Sequence, residues 1–362
     1  MNYKDLGFNP VWFDSMGAKS TCSLVKTPDT SICIDPGIAA MQPSYPLPDV
    51  LKAYYRFKGK REIRGAVDEA EHVAISHYHY DHLITDPGIY DGKELWVKDP
   101  NRWINKSQWG RAREFIQNLA EDKKEELEEI DPEEREFGDP YRELDKARNK
   151  DFGDYQERRE ELLEKWRKRF RNLTEHWRSN PWIQEPDFLN YADGRGFEEG
   201  NTKVRFKGPL FHGIEYSKTG WVFSTVIETQ EAKLIHSSDL QGPTIEDYAD
   251  WIIEEDPDIL VLDGPATYLL GHLLNKTNLR RSVDNARRIL KEVNPELMVW
   301  DHHLLRERKY RERTGKVWEL KDEYNLKTAS EVKGEEPLID RAENWSSKKV
   351  EEMKNRARKV LG

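Results

Sequence analysis

The chain has 362 residues, of which 35% are charged and 36% hydrophobic, and its formal net charge is −10 at pH 7. This length can bury the core of one large domain or two ordinary ones. The net negative charge argues against indiscriminate nucleic-acid binding, although a local basic patch remains compatible with it. The sequence has no apolar run of about 18 residues and no signal-peptide pattern at its N-terminus. We therefore expect a cytoplasmic protein with no membrane partner.

Short β-strands are predicted in the first hundred residues. Residues 11–17, 20–27 and 31–37 are rich in β-branched or aromatic side chains, and turn formers separate them. Cys22 and Cys33 lie in these segments, and we interpret them as reduced core residues. His72–Ile75 is an apolar run that gives way to polar residues, as in a buried strand that delivers side chains to a sheet edge. The segment ELWVKDP, residues 94–100, is predicted to contain another strand.

Residues 101–195 are predicted to form a charged helical insertion. Apolar residues recur at helical spacing over 107–130 and 154–177, which predicts two long amphipathic helices joined by an acidic connector. The run KWRKRFR, residues 165–171, combines five cations with two aromatic rings, as nucleic-acid-binding segments do. Its acidic flanks favour a solvated helix face instead. The aromatic residues near 103–115 alternatively suggest a lid or a contact between subunits of a homo-oligomer.

Strands and helices alternate in the second half of the chain. Strands are predicted within 202–213, 220–228, 232–242, 258–265 and 296–303, and helices within 244–255 and 277–293. The tail, 304–362, is charged and mostly helical in pattern. This order predicts a layered α/β fold, which we interpret as a single domain over 1–362 that contains the insertion.

The segment HYHYDH contains three of the ten histidines in six positions. In an extended chain, His77 and His79 point to the same side, so both imidazoles can reach one metal ion. Asp81 and His82 follow where the chain turns, and their different direction suits a second metal ion. These side chains are ligand types that Zn²⁺ prefers, and Fe and Mn ions accept them too.

Further candidate ligands follow predicted strands elsewhere in the chain. They are Asp35 in IDPG, His212 in FHG, Asp239 in SSDLQG and His302 in DHHLLR. A single histidine after a strand is weak evidence, because most such residues have structural roles. Their shared placement after apolar runs carries the prediction that they meet at one sheet edge.

In this motif order, residues 11–100 and 200–306 resemble the metallo-β-lactamase-fold hydrolases. The segments DSMGAKSTCSLVKTPD and SHYHYDH are similar to segments of an archaeal branch of predicted metal-dependent hydrolases. The resemblance implies a four-layer αβ/βα sandwich with two metal ions in a cleft at one edge of its sheets.

The resemblance also implies a role for each candidate ligand. His77, His79 and His212 would hold the first metal ion; Asp81, His82 and His302 the second; Asp239 would bridge both, and Asp35 would orient ligands by hydrogen bonding. The doublet His302-His303 leaves the last ligand ambiguous, and Arg306, four positions after His302, favours His302 as in related phosphodiesterases. Ser238 stands where relatives usually have glycine before the bridging aspartate.

The predicted function is hydrolysis by a hydroxide that bridges two divalent cations, with Zn favoured and Mn or Fe as alternatives. Asp81 would orient the hydroxide or take a proton; His303, Tyr268 and His272 are candidate acids for the leaving group. A phosphodiester is the favoured substrate, and a small thioester or lactone is the alternative. A third hypothesis is a non-catalytic, metal-stabilised scaffold that binds a partner through the insertion. His79 stands where diiron oxygen reductases of this fold carry glutamate, which disfavours redox chemistry.

Overall fold

The computed structural model describes residues 1–133 and 136–362. The strands of the first sheet are β1 (Asn2–Tyr3), β2 (Leu6–Phe13), β3 (Thr21–Lys26), β4 (Ser31–Ile34), β5 (His72–Ile75), β6 (Glu94–Val97) and β9 (Asn190–Tyr191). Those of the second are β10 (Gly196–Glu199), β11 (Thr202–Phe211), β12 (Trp221–Glu228), β13 (Lys233–His236), β14 (Ile259–Asp263), β15 (Leu297–Asp301) and β16 (Leu326–Lys327). β7 (Glu129–Ile130) and β8 (Trp182–Ile183) form a separate two-stranded ribbon.

The helices lie between and after these strands. They are α1 (Asp49–Glu69), α2 (Lys106–Lys123), α3 (Asp145–Asn149), α4 (Gln156–Ser179), α5 (Glu246–Glu255), α6 (Lys276–Val293), α7 (Tyr310–Arg313), α8 (Gly315–Trp318), α9 (Ala329–Val332), α10 (Leu338–Glu343) and α11 (Ser347–Leu361). Within the described ranges, no helix combines the length and the apolar character that crossing a bilayer requires.

Both sheets follow the same plan. In each, four antiparallel strands lead into parallel strands: β1 to β4 and then β5, β6 and β9 in the first sheet, β10 to β13 and then β14 to β16 in the second. The carboxyl ends of parallel strands meet at one edge of a sheet, so each sheet offers one edge at which residues from distant parts of the chain converge.

Side chains alternate between two cores. Along β4, Ile32 and Ile34 pack into the core between the sheets, whereas Cys33 packs into the core under the helices. Helix α1 covers the first sheet, and α5 and α6 pack together on the outer side of the second sheet. The predicted four-layer αβ/βα sandwich is therefore confirmed, with the helix-containing segment inserted between β6 and β9.

The structure differs from the sequence predictions at three places. Helix α1 was not predicted, because its buried apolar positions are interrupted by charged residues and Lys52 is itself buried. Helix α2 ends before Lys124, which adopts a left-handed conformation with φ 60°, so the apolar residues Leu127 and Ile130 lie outside it. The charged tail was not predicted to contain a strand, but β16 pairs with β15 at the edge of the second sheet.

Aromatic rings of the insertion pack within the chain. Trp103 contacts the rings of Phe170, Trp177 and Trp221, at centroid distances of 5.7–5.9 Å. In the basic run, Phe170 is buried. Arg167 pairs with Asp139 at 3.0 Å. From the sequence alone, these rings suggested a lid or a subunit contact. In the structure, they pack against other rings of the same chain.

A buried ionic network fastens the insertion to the second sheet's helices. Glu215, three residues after His212, accepts hydrogen bonds from Arg159 of α4 at 2.9 Å and from Arg281 of α6 at 2.7 Å. Arg281 also donates to Glu246 of α5 at 2.6 Å. Burial alone would raise the pKa of Glu215, but Arg281 and Arg159 hold it below the usual 4.5. The network therefore stabilises the fold only while Glu215 is ionised.

Replacing Arg281 with Met should lower the free energy of unfolding by about 3–5 kcal/mol, because it leaves two buried carboxylates short of a partner. The folded pKa of Glu215 is lowered, so its contribution is complete above pH 4.5 and is lost as the pH falls below that value. Urea denaturation of both proteins at several pH values measures the loss. The exposed neighbour Arg280→Met is the control, and equal effects of the two substitutions would contradict this account.

Candidate metal centre

The predicted site residues lie together at the edge where the parallel strands end. His77 follows β5, Asp239 follows β13 and His302 follows β15, while His212 follows the antiparallel strand β11. Three residues at these strand ends have left-handed backbones: Asp35, Ser238 and His302, with φ of 52°, 51° and 57°. Non-glycine residues rarely adopt this conformation, and they do so mainly where a site requires it. The conformation of Ser238 explains why glycine is usual at its position.

The first set of candidate ligands contains His77, His79, His212 and Asp239. One ligand atom from each lies within 4.8 Å of those of the others. His77 Nε2 lies 2.9 Å from His79 Nδ1, and His77 Nε2 and His212 Nε2 lie 3.3 and 2.9 Å from Asp239 Oδ2. On the far side of His79, Gln108 of α2 places its Nε2 3.3 Å from His79 Nε2. The insertion thus contacts the site directly.

The second set contains Asp81, His82 and His302, whose ligand atoms also lie within 4.8 Å of one another. His82 Nε2 and His302 Nε2 lie 3.1 and 3.2 Å from Asp239 Oδ1. His302 Nε2 lies 3.9 Å from Asp81 Oδ2. Asp239 therefore turns one carboxylate oxygen to each set.

These atoms lie close together but are not aligned as hydrogen bonds, as is expected where ligand atoms converge on a cation. His82 Nε2, His212 Nε2 and Asp239 Oδ1 are buried and have no hydrogen-bond partner, although the nitrogens approach the carboxylate to 3.1 Å or less. Buried polar groups almost always form hydrogen bonds. Imidazole and carboxylate groups that lie close together without forming hydrogen bonds can bind a metal ion between them. This donor set therefore fits two divalent cations.

The pKa values of His77 and His82 are shifted in opposite directions. Burial and the neighbouring His82 lower the pKa of His77 to about 4, which keeps it in the neutral form that binds metal. Burial also opposes the charge on His82, but Asp239 and Asp35 raise its pKa to about 10. The shifts are opposite because His82 has a second carboxylate neighbour, whereas His77 has imidazoles. Burial would raise the pKa of Asp239, yet the surrounding histidines hold it well below its usual range.

Asp35 supports the site from behind the ligands. Its Oδ2 lies 2.9 Å from His82 Nδ1, and it accepts hydrogen bonds from the backbone and the hydroxyl of Ser76 at 2.8 and 2.9 Å. The Ser76 hydroxyl is also 2.6 Å from that of Ser238, which links the two sheets beside Asp239. Asp35 thus lies beside His82 and Ser76, and its role in orienting ligands stays a prediction of the sequence resemblance.

A buried arginine and aspartate hold the second set in place. His302 Nδ1 lies 3.1 Å from Asp14 Oδ1 and 3.0 Å from the carbonyl oxygen of Ser20. Arg306 donates to Asp14 and, at 3.1 Å, to Asp81 Oδ2. These contacts fix the tautomer and ring direction of His302 so that Nε2 faces Asp239.

His303 points to a different partner from His302. Its Nδ1 lies 3.0 Å from Asp263 Oδ1, the last residue of β14. The Tyr268 hydroxyl lies 3.4 Å from an Arg306 nitrogen, and so near the second set. His272 is exposed on a loop. The two histidines therefore differ in the carboxylate at Nδ1, which is Asp14 for His302 and Asp263 for His303. Each also has a ligand atom within 4.8 Å of one of Asp239.

Sequence reasoning missed Asp14, Asp263 and Gln108. The first two follow the apolar runs VWF and ILVL, so the rule that identified Asp35 applied to them as well. Gln108 carries no such signal, because it is one polar residue in an amphipathic helix. Its side chain is buried between His79, the backbone of Tyr78 and Thr219.

Replacing Gly37 with Ala should displace the second set. A Cβ atom at this position would meet the backbone nitrogens of Leu83 and His82 at 2.1 and 2.2 Å, closer than such atoms can approach. The expected result is a less stable protein that loses metal bound by His82, measured by thermal unfolding and metal analysis. Gly65→Ala in α1 meets nothing within 4 Å and is the control. A Gly37→Ala protein with unchanged metal content would contradict this geometry.

Comparisons with solved structures give low similarity. The CmlA β-hydroxylase of Streptomyces venezuelae has a TM-score of 0.43 at 12% identity, with 91% of this chain and 53% of that chain covered. Yeast PDE1 has a TM-score of 0.39 at 11% identity, with 89% and 96% covered. The short form of human tRNase Z has 0.37 at 10% identity, with 82% and 92% covered. Because these TM-scores are low, the fold is described from the strand order and strand pairing of this chain alone.

Sequence relatives are more informative, although no family model matches the chain. The UPF0282 protein of Methanopyrus kandleri is 31% identical over 344 residues, which cover 91% of this chain and 94% of the relative. That of Korarchaeum cryptofilum is 32% identical over 311 residues, or 85% and 82% of the two chains. These relatives confirm the archaeal branch suggested by the sequence motifs. The chain belongs to the UPF0282 family.

Proposed function

We propose that this chain is a hydrolase that holds two divalent cations and acts on phosphodiesters. The observation that carries the proposal is the division of Asp239 between two sets of side chains. Its Oδ2 faces His77 and His212, and its Oδ1 faces His82 and His302, at distances of 2.9–3.3 Å. A carboxylate in this position suits a bridge between two ions.

The donor set supports Zn²⁺, with Mn²⁺ or Fe as alternatives. His77, His79, His212 and Asp239 would hold one ion, and Asp81, His82, His302 and Asp239 the other. When bound, such ions lower the pKa of water toward neutrality and stabilise the negative charge that grows in the transition state. A structural zinc site usually has four protein ligands and no open position, so two adjacent sets that share a ligand favour catalysis over a scaffold.

The chain's own residues would position the attacking water. Asp81 is held by Arg306 at 3.1 Å through Oδ2, which leaves Oδ1 able to accept a hydrogen bond from water. We assign Asp81 the role of orienting that water through a hydrogen bond. Arg306 would keep the carboxylate ionised, because it lies beside Asp81 and contributes to a pKa well below the usual range.

His303 is the proposed proton donor to the leaving group. Burial and the neighbouring Asp239 raise the pKa of Asp263 to about 7, so a protonated Asp263 can donate to Nδ1, 3.0 Å away, as Nε2–H gives its proton to the departing oxygen. Asp263 would hold the ring in this orientation, as a carboxylate does in other acid–base pairs. Tyr268 is the alternative donor, because its hydroxyl lies 3.4 Å from Arg306 on the same side of the site.

Local charge favours an anionic substrate over a neutral lactone. Lys19 is half-buried, and among the described residues it has no ion pair within 4.0 Å. Burial lowers the pKa of its ammonium group, and so does the nearby Arg306. Arg306 is paired with Asp14 and Asp81, so Lys19 is the cation beside the second set that suits a non-bridging oxygen of a phosphodiester. A thioester carries no negative charge at its carbonyl before reaction, and a cation would contact only the oxyanion that develops in the transition state.

The Asp239→Asn substitution should abolish both metal retention and hydrolysis, since it removes the charge shared by the two sets. We expect the unaltered protein to bind at least two equivalents of metal by elemental analysis. The substituted protein should bind fewer and should hydrolyse bis(p-nitrophenyl) phosphate at least a hundredfold more slowly. Asp284→Asn, an exposed position on α6, is the control.

Two results would refute this proposal. One is full turnover of bis(p-nitrophenyl) phosphate by the Asp239→Asn protein. The other is a preference of a hundredfold or more for a glutathione thioester over the phosphodiester at identical metal loading, which would identify the alternative substrate class.

The His303→Gln substitution should slow hydrolysis by about 10²–10⁴-fold for phosphodiesters with alkyl leaving groups, which need a proton. The effect should be small for p-nitrophenyl esters, whose leaving group departs as a stable anion. Metal content should stay the same, because His82 and His302 keep their contacts of 3.1 and 3.2 Å with Asp239 when His303 is replaced. Steady-state kinetics across a leaving-group series measures the difference. An equal loss for all leaving groups would argue against an acid role.

A further inference from the structure

A second group of candidate ligands lies at the opposite end of the sandwich. It consists of His72, Glu94 and Glu199. His72 and Glu94 begin the adjacent parallel strands β5 and β6, and they are direct partners in the strand register. Glu199 ends β10 of the other sheet. Since the metal centre follows the carboxyl end of β5, this group is about 16 Å away along the strand.

The imidazole of His72 is buried and has neighbours on its ring face and at both nitrogens. Its side chain is 3% exposed, and its ring stacks on that of Phe197 with centroids 4.1 Å apart. Nε2 lies 3.0 Å from Glu199 Oε1, and Nδ1 lies 3.7 Å from Glu94 Oε2. The second distance is too long for a hydrogen bond, and the buried Nδ1 has no hydrogen-bond partner.

The distance at Nδ1 suits ligands that share a cation, whereas the hydrogen bond at Nε2 holds the ring in place. Two ligands of one tetrahedral zinc ion lie roughly 3.4 Å apart, given bonds of about 2.0–2.2 Å. The His72 to Glu94 distance of 3.7 Å is close to that value. One ligand atom from each of the three residues lies within 4.8 Å of the others. Asn190 lies 3.4 Å from Glu94 Oε1, which leaves Oε2 directed at His72.

This group of three residues contains two carboxylates and a single imidazole. Glu94 and Glu199 share one imidazole, and within residues 1–133 and 136–362 neither carboxylate pairs with a lysine or an arginine. The adjacent Glu198, by contrast, pairs with Lys203 at 3.0 Å. Two carboxylates that converge on one imidazole repel each other, and a divalent cation would offset that repulsion.

We propose that His72, Glu94 and Glu199 form a second, independent site for a divalent transition-metal ion. The ligands would be one imidazole nitrogen and two carboxylate oxygens, with water in the remaining positions because both glutamates are half-exposed. The ion would link the first sheet to the second, so its binding stabilises the folded chain. This site does not depend on the function proposed for the Asp239 centre.

Zinc titration of a chain with a disabled Asp239 centre tests the proposal. In metal-free His79→Ala/Asp239→Ala protein, we expect one equivalent of Zn²⁺ to bind and the Tm to rise. Adding Glu94→Gln or Glu199→Gln should weaken that binding at least tenfold and abolish the rise in Tm. Adding Glu198→Gln, the neighbouring carboxylate on β10, should change neither result.

Two outcomes would overturn the site. One is a folded double variant that binds no Zn²⁺, and the other is binding that survives both glutamine substitutions. If the double variant does not fold, metal analysis of the otherwise unaltered chain decides the question. There, Glu199→Gln should remove one equivalent of metal and leave turnover of bis(p-nitrophenyl) phosphate unchanged. An unchanged metal content would refute the site, whereas loss of turnover in Asp239→Asn alone bears only on the proposed function.

Discussion

The carboxylate of Asp239 is the constraint on which the site depends. It is 1% exposed, and four imidazole nitrogens approach it within 3.3 Å, two at each oxygen. A buried charge is costly unless it is paired, so the surrounding chain has to bring partners to it from separate strands. Two sheets with parallel strands ending at one edge provide those positions. Left-handed residues at three strand ends then turn the side chains inward.

Residues of the insertion also support the candidate ligands. Arg159 of α4 holds Glu215, three residues after His212, and Gln108 of α2 lies beside His79. Both contacts support the first set of ligands, whereas the second set depends on Asp14 and Arg306 from the ends of the core strands. The two halves of the site are therefore supported by different parts of the chain. A change in the insertion is expected to affect the first set more than the second.

Much of the fold was predictable because its strands are short, apolar and bounded by turn formers. His72–Ile75 was predicted with the same bounds that the structure gives to β5. Helix α1 was missed because its buried face includes Lys52 and is interrupted by charged residues. The contact between Asp14 and His302 spans 288 positions in the sequence, so only the folded chain reveals it. Local patterns identify residues at strand ends; which of them meet depends on strand order and register.

X-ray anomalous diffraction from crystals of the zinc-loaded protein tests the central claim most directly. The account predicts two zinc peaks beside Asp239, one within bonding distance, about 2.0–2.2 Å, of each carboxylate oxygen. His77, His79 and His212 should surround one peak, and Asp81, His82 and His302 the other. A single peak, or a pair of peaks that Asp239 does not bridge, would contradict the account.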